Sequence, residues 1–297
     1  MQSKFSTDIG IFFLKLVAYL PFAFIYFLSD IFYLVVFYLI RYRKDVVLHN
    51  LTNAFPEKTM QEILLIQKKY YRHFCDLTLE SIKMIHMKKA DYEKRMKIKN
   101  AELVNRFFES GKSVVVLTMH YNNWEWSNCF PREIKHRILG VYKPLHNNKF
   151  DRLMNHSREK QGAEMVTNSN ILRRILQAEK NNEMVFTWLA GDQTPPAFHS
   201  RWFTFLNQEA MFYPGPAFIS KRFNQPLFFQ KIEKKSRGKY ITHLEMLIEN
   251  PQDFSENEIL TAYIQKMEEV IRKNPEFYLW SHKRWKHKRP ENVPLHG

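Results

Sequence analysis

At 297 residues, with 45% hydrophobic and 15% aromatic content, the chain is long and apolar enough for one large domain with an appendage, which argues against disorder. Two cysteines, Cys75 and Cys129, exclude a disulfide framework and a four-thiolate zinc site. Lys and Arg number 45 against 30 Asp and Glu, and the resulting charge of +15 calls for an acidic partner: nucleic acid, anionic lipid or an acidic carrier protein.

The charge is uneven. Lys4, Asp8, Lys15 and Asp30 cancel, so the whole excess lies beyond residue 40. That neutral stretch is also the greasiest, with apolar runs over 11–28 and 31–40. As one helix it would be about 45 Å long, against a hydrocarbon core of about 30 Å. Pro21 and the Ser29-Asp30 pair interrupt it, so a tilted span and a kinked re-entrant hairpin both fit, with a buried core helix as the alternative. A signal peptide fits poorly, because the apolar region is too long and no small-residue cleavage site follows it. Arg41, Arg43 and Lys44 come next, and basic flanks favour the cytoplasmic side. Residues 1–44 therefore read as a membrane anchor and 45–297 as a cytoplasmic-face domain.

Beyond the anchor, helical spacing covers 60–84 and 102–109, the second ending at Gly111. Residues 113–119 form a β-branched run and read as a buried strand, followed by a strand over 137–142. Helices are expected over 150–161 and 170–180, and a strand over 184–190 ending at Gly191-Asp192. Two more strands fit 226–232 and 240–248, and an amphipathic helix fits 257–273. The alternation predicts an α/β fold: a mixed central sheet flanked by helices, behind an N-terminal membrane-associated helix or hairpin.

In such sheets functional groups gather past the carboxyl ends of strands. His120 emerges at the end of the 113–119 strand, and Glu125 follows in the first turn of the next helix. Across a strand–turn–helix corner the carboxylate could orient the imidazole and raise its basicity, giving a general base. The alternative is a strand-end histidine that satisfies a loop carbonyl. No Ser or Cys stands in the matching place, so an acceptor hydroxyl would be the nucleophile. A metal site is not expected, since His-Glu-x-x-His is absent and His199, His243 and His282 are scattered. The Gly-rich nucleotide-binding signatures are absent too.

His120-x-x-x-x-Glu125, inside Thr-Met-His-Tyr-Asn-Asn-Trp-Glu-Trp, resembles the His-x4-Asp/Glu motif of the glycerolipid acyltransferase superfamily, and in particular the late acyltransferases of lipid A biosynthesis. Four further blocks are similar and stand in the right order. They are Asn50-Leu-x-x-Ala-Phe-Pro-Glu57; Val141-Tyr-Lys-Pro144 with Arg158 and Gly162; Asp192-Gln193 with Phe203-Thr-Phe-Leu206; and Tyr278-Leu-Trp-Ser-His-Lys-Arg-Trp-Lys286. One departure is Phe205-Leu206-Asn207, where the family has Phe-x-Gly, and it puts acceptor identity in question.

The resemblance implies transfer of a fatty acyl chain from an acyl carrier protein thioester to a lipid, foremost a lipid A precursor. His120 would act as base and Glu125 would orient it. Arg158, Asp192 and Gln193 would contact substrate, with Gly191-Asp192 readable also as a turn and Arg158 also as part of a solvated helix face. Backbone amides at 123–125, or Arg158, would serve the oxyanion. No cofactor or metal is implied. The implied partners are the carrier protein, the lipid acceptor and an anionic inner-membrane surface, not nucleic acid. The basic and aromatic cluster at 280–289 would attract anionic headgroups or the carrier, with a disordered basic tail as the alternative. A lysophospholipid, an amino-acid lipid or a glycolipid remains an alternative acceptor, and a non-enzymatic basic binder a distant one.

Overall fold

The computed structural model describes residues 4–196 and 200–296. Helix α1 (Lys4–Tyr19) stops before Pro21, which has no amide to continue the hydrogen-bond ladder. The carbonyls left at this break turn to Lys83, whose Nζ donates to Ala18 O (2.9 Å) and Leu20 O (2.8 Å). Helix α2 (Phe22–Leu34) then runs unbroken through Ser29-Asp30 and into a wider π-type turn, Val35–Leu39. The interruption expected at that pair does not occur, because both side chains find partners outside the helix. Ser29 Oγ donates to Asp76 Oδ1 at 2.8 Å, and Asp30 accepts from Arg237 at 2.7 Å.

Helix α3 (Lys44–Ala54) leads to α4 (Met60–Lys83), which opens with a reciprocal cap between Thr59 and Glu62 and packs along α2. Then come α5 (Lys89–Arg95), β1 (Met96–Lys99), α6 (Ala101–Glu109) and β2 (Val114–Thr118). A 3₁₀ segment, Trp124–Arg132, precedes β3 (Arg137–Tyr142), α7 (Asn148–Glu159), β4 (Glu164–Thr167), α8 (Ile171–Lys180) and β5 (Val185–Ala190). The chain continues through β6 (Arg201–Phe205), β7 (Gln208–Phe212), α9 (Gly215–Arg222), β8 (Leu227–Ser236) and β9 (Lys239–Ile248). It closes with α10 (Glu256–Lys273) and β10 (Leu295–His296).

Seven strands form the central sheet in the order β1-β9-β8-β2-β5-β3-β4. The five from β8 to β4 are parallel, while β9 runs against β8 and carries β1 with it. The sheet is therefore mixed, as the pattern of elements predicts. Strands β6, β7 and β10 form a separate three-stranded sheet.

Strand β2 lies in the middle and is buried at every residue. Its side chains alternate between two apolar layers, as a pleated strand requires. Val115 and Leu117 join Ile175, Ala217 and Ile264 of α8, α9 and α10, whereas Val114 and Val116 join Phe107 and Met154 of α6 and α7. Both faces of the sheet are thus covered, which explains why β2 reads as an unbroken apolar run. Tyr33, Val36 and Phe37, from the N-terminal segment, share the first of these layers with Val47 and Tyr71.

Lys83 gives a test of the α1–α2 corner. Replacing it with Met leaves the carbonyls of Ala18 and Leu20 without their donor, and stability should fall by about 1–3 kcal/mol. Urea unfolding in detergent measures this; an unchanged midpoint would mean that the bonds contribute nothing.

Candidate active site

The site is built by strand register. In the parallel pair β2–β5, Thr118 stands opposite Ala190. Two residues further along each chain, His120 and Asp192 arrive side by side. Asp192 grips the histidine twice: Oδ2 accepts from the His120 amide at 3.0 Å and Oδ1 meets Nδ1 at 2.8 Å. The carboxylate accepts, so Nδ1 carries the proton and Nε2 keeps a free lone pair.

The expected contact between Glu125 and His120 is not what the structure has. Glu125 stands at the start of the 3₁₀ segment and its carboxylate is forked onto Arg158 of α7, with Nε to Oε2 at 2.9 Å and Nη2 to Oε1 at 2.7 Å. The corner turns Glu125 toward α7, while Asp192 takes the place beside Nδ1. Arg158 is correspondingly not a free clamp, since two of its nitrogens are engaged by Glu125. Asp192 is not a mere turn residue: its carboxylate is engaged by His120. Gln193 is exposed beside it.

Electrostatics follow from these pairings. Burial opposes protonation of His120, but Asp192, and after it Glu125, outweighs burial and raises its pKa. Burial would also keep Asp192 and Glu125 neutral, yet His120 pulls the first carboxyl below its usual range and Arg158 the second. His282, whose Nε2 accepts from the Thr194 amide at 3.1 Å, is pushed down to about 4, chiefly by burial.

Several elements hold the two strand ends in place. Tyr263 of α10 donates its hydroxyl to Thr118 O (2.5 Å) and accepts from the Gly191 amide (3.2 Å), bridging β2 and β5. Gly191 suits this place, because a Cβ would stand 3.1 Å from the Tyr263 ring and press it aside. The C-terminal strap clamps the loop after β2: Leu279 N donates to His120 O (3.1 Å) and Asn122 N to Phe277 O (3.0 Å). Asn50 of α3 fastens the strap in turn, donating to Trp280 O and His282 O. This strap is not a loose basic tail, since Trp280 and Arg284 are buried and only Lys283, Lys286 and Lys288 among its basic residues up to 288 point outward with His287.

The departure at Phe205-Leu206-Asn207 has a conformational explanation. Leu206 and Asn207 form the two-residue turn between β6 and β7, both at positive φ (50° and 62°). Asn adopts this conformation more readily than most residues, so it can stand in for Gly at this turn. Of the histidines weighed as metal ligands, His243 pairs with Glu233 and His199 lies outside the described residues. Among the described residues, no three His, Cys, Asp or Glu side chains gather to hold a metal ion.

A histidine held by a buried carboxylate at adjacent strand ends, with neither Ser nor Cys between His120 and Trp126, suits activation of an external hydroxyl. That is the arrangement an acyltransferase needs. The sequence pattern of the family described as bacterial lipid A biosynthesis acyltransferase matches residues 1–287, and the chain belongs to that family. It is an acyltransferase whose acceptor is a lipid. Among solved structures it is similar to the 1-acyl-sn-glycerophosphate (LPA) acyltransferase PlsC from Thermotoga maritima, at 14% identity over 91% of this chain and 96% of that one, with a TM-score of 0.38. No curated protein matches the chain.

Asp192→Asn should separate the two carboxylates. It should lower kcat by about 10²–10⁴-fold. It should also lower the pKa of His120. If the neutral histidine serves as base, activity rises with pH through that pKa, and the acidic limb of the pH–rate profile should move to lower pH. A profile unmoved by Asp192→Asn but moved by Glu125→Gln would return the orienting role to Glu125.

Proposed function

We propose that this enzyme transfers a fatty acyl chain from an acyl carrier protein thioester to a hydroxyl of a lipid A precursor at the inner face of the cell inner membrane. The observation that carries the chemistry is the His120–Asp192 pair, with Nδ1 and Oδ1 at 2.8 Å. His120 Nε2 takes the acceptor's proton while Asp192 holds the ring and stabilises the imidazolium. The acceptor oxygen attacks the thioester carbonyl, and the tetrahedral oxyanion is met by fixed donors. Backbone amides at the start of the 3₁₀ segment can supply them, as can the Arg158 N–H groups that Glu125 leaves free. The carbon–sulfur bond then breaks, and the thiolate takes the proton back from His120. The mechanism calls on no cofactor or metal.

The acyl donor's carrier is acidic, and the exposed Lys283, Lys286 and Lys288 lie on the strap that clamps the His120 loop. This supports docking of the carrier beside the site. Gln193, exposed next to Asp192, is placed to meet substrate.

The N-terminal helices support a membrane seat. The stretch Phe22–Leu39 is apolar enough to cross a bilayer, with a mean hydropathy of 2.0. Its middle, however, is bonded to the domain through Tyr26, Ser29 and Asp30. The opposite face shows Phe24, Phe27, Leu34 and Leu39 to the outside, continued by Phe12 and Phe13 of α1. A helix fixed along the domain, with aromatic side chains outward, suits lying in one leaflet better than a free span. The basic residues after Ile40 would then face anionic headgroups.

Three experiments test the proposal. His120→Ala should remove most transfer, about 10²–10⁴-fold, and near-normal rates from that folded protein would refute the site. Comparative lipid mass spectrometry of a deletion strain should show lipid A short of one acyl chain; an unchanged lipid A with another lipid class missing would point to a lysophospholipid, amino-acid lipid or glycolipid acceptor. For the membrane seat, Phe24→Asp with Phe27→Asp should weaken co-sedimentation with anionic vesicles by about tenfold or more while circular dichroism is unchanged.

A further inference from the structure

Away from the reacting atoms, one buried carboxylate collects bonds from three separate parts of the chain. Glu80, on the inner face of α4, is completely buried. Its Oε1 accepts from the Tyr26 hydroxyl of α2 at 2.9 Å. Its Oε2 accepts from Asn123 Nδ2 at 2.7 Å and from the Tyr240 hydroxyl of β9 at 2.8 Å. Its backbone carbonyl accepts from Trp126 Nε1 at 3.2 Å. Asn123 is held on its other side as well, where Oδ1 accepts from the Trp126 amide at 3.1 Å and so caps the 3₁₀ segment.

Asn123 lies between His120 and Glu125, so the loop carrying both is pinned at its midpoint by Glu80. The other end of the same carboxylate reaches the helix whose outer face is apolar. One turn earlier on α4, Asp76 makes a parallel set of ties: it accepts from Ser29 Oγ (2.8 Å) and from Arg237 (2.7 Å), which also pairs with Asp30. Helix α2 is thus registered against α4 at two polar points, and one of them continues directly into the catalytic loop.

An apolar side chain would fill the Glu80 site without the cost of burying a charge. A carboxylate there does what an apolar group cannot. It accepts three hydrogen bonds, and only when α2, β9 and the 123 loop stand in one relative arrangement.

We propose that Glu80 is a positioning residue that couples the seat of α2 to the catalytic loop through the chain Tyr26–Glu80–Asn123. A shift of α2 on its lipid-facing side alters the Tyr26 bond and, through the shared carboxylate, the placement of Asn123 and of the helix start that bears Glu125. The inference rests on the proposed site at His120, and it assigns no proton transfer to Glu80.

The test is a double-mutant cycle in acyl transfer, with the acyl carrier thioester as donor and the acceptor in vesicles. Tyr26→Phe removes one hydroxyl and Asn123→Ala removes the loop's hold. Each should lower kcat by about three- to tenfold while KM for the donor changes by about twofold at most, a split that loss of folded protein alone would not give. Because the two share one carboxylate, their combined effect should depart from the product of the single effects by about threefold or more. In a Glu80→Gln background that departure should vanish. Multiplicative effects in the wild-type background, or a Glu80→Gln enzyme with normal kcat, would overturn the coupling. If Glu80→Gln does not fold, the cycle between Tyr26 and Asn123 still decides it. His120→Ala in the same assay keeps the two readings apart: full activity there defeats the site itself, whereas its loss alongside an additive cycle defeats only the coupling.

Discussion

The parallel pairing of β2 with β5 is the constraint on which the rest depends. His120 and Asp192 are 72 residues apart, and neither strand alone says that they meet. The register Thr118↔Ala190 decides it, because continuing both strands by two residues delivers the imidazole and the carboxylate to the same level. The remaining structure keeps that register from drifting. Tyr263 ties the two strand ends together, Gly191 leaves room for its ring, and the 277–280 strap bonds the loop from the far side. Under the proposed role of His120 as base this support matters, since small displacements of a catalytic group cost orders of magnitude in rate.

The same economy of polar ties explains the N-terminal segment. Tyr26 and Ser29 reach Glu80 and Asp76, and the exposed Asp30 pairs with Arg237 at the edge of that face, while Phe24 and Phe27 point out. One helix therefore carries two different faces, a polar one toward its own domain and an apolar one outward. The net charge of +15 then acquires a location. It belongs to the part of the chain beyond this helix.

Much of this was legible in the sequence, and the parts that were not share a cause. The β-branched runs at 113–119 and 184–190 announce the two central strands, and His120 and Asp192, just past them, are the residues that meet. Their pairing was misread, because spacing along the chain favours Glu125, five residues from His120, whereas contact is set by register between strands. Strands β1 and β4, of four residues each, carry too little pattern to be read at all. Asp76 and Glu80 look like the solvated face of an amphipathic helix, and only the arrival of α2 and β9 makes that face an interior. The C-terminal lysines and arginines read as one basic tract, yet Arg284 is turned inward, donating to Met211 O at 2.6 Å with its guanidinium over Phe212. Composition cannot separate these fates.

The charges around His120 form a coherent set. Ionised Asp192 and Glu125 both favour its protonated form, while Arg158 tempers the second carboxylate. Arg158 also keeps Glu125 charged. Without it, burial would drive Glu125 toward its neutral form, and the second carboxylate would no longer favour the imidazolium. Asp192 therefore supplies the orientation, while the Glu125–Arg158 pair adds a fixed negative charge tempered by a cation. His282, kept neutral mainly by burial, adds no opposing charge. The His-x4-Glu spacing keeps a physical purpose under this reading: Glu125 acts on His120 through space, and its hydrogen bonds go to Arg158.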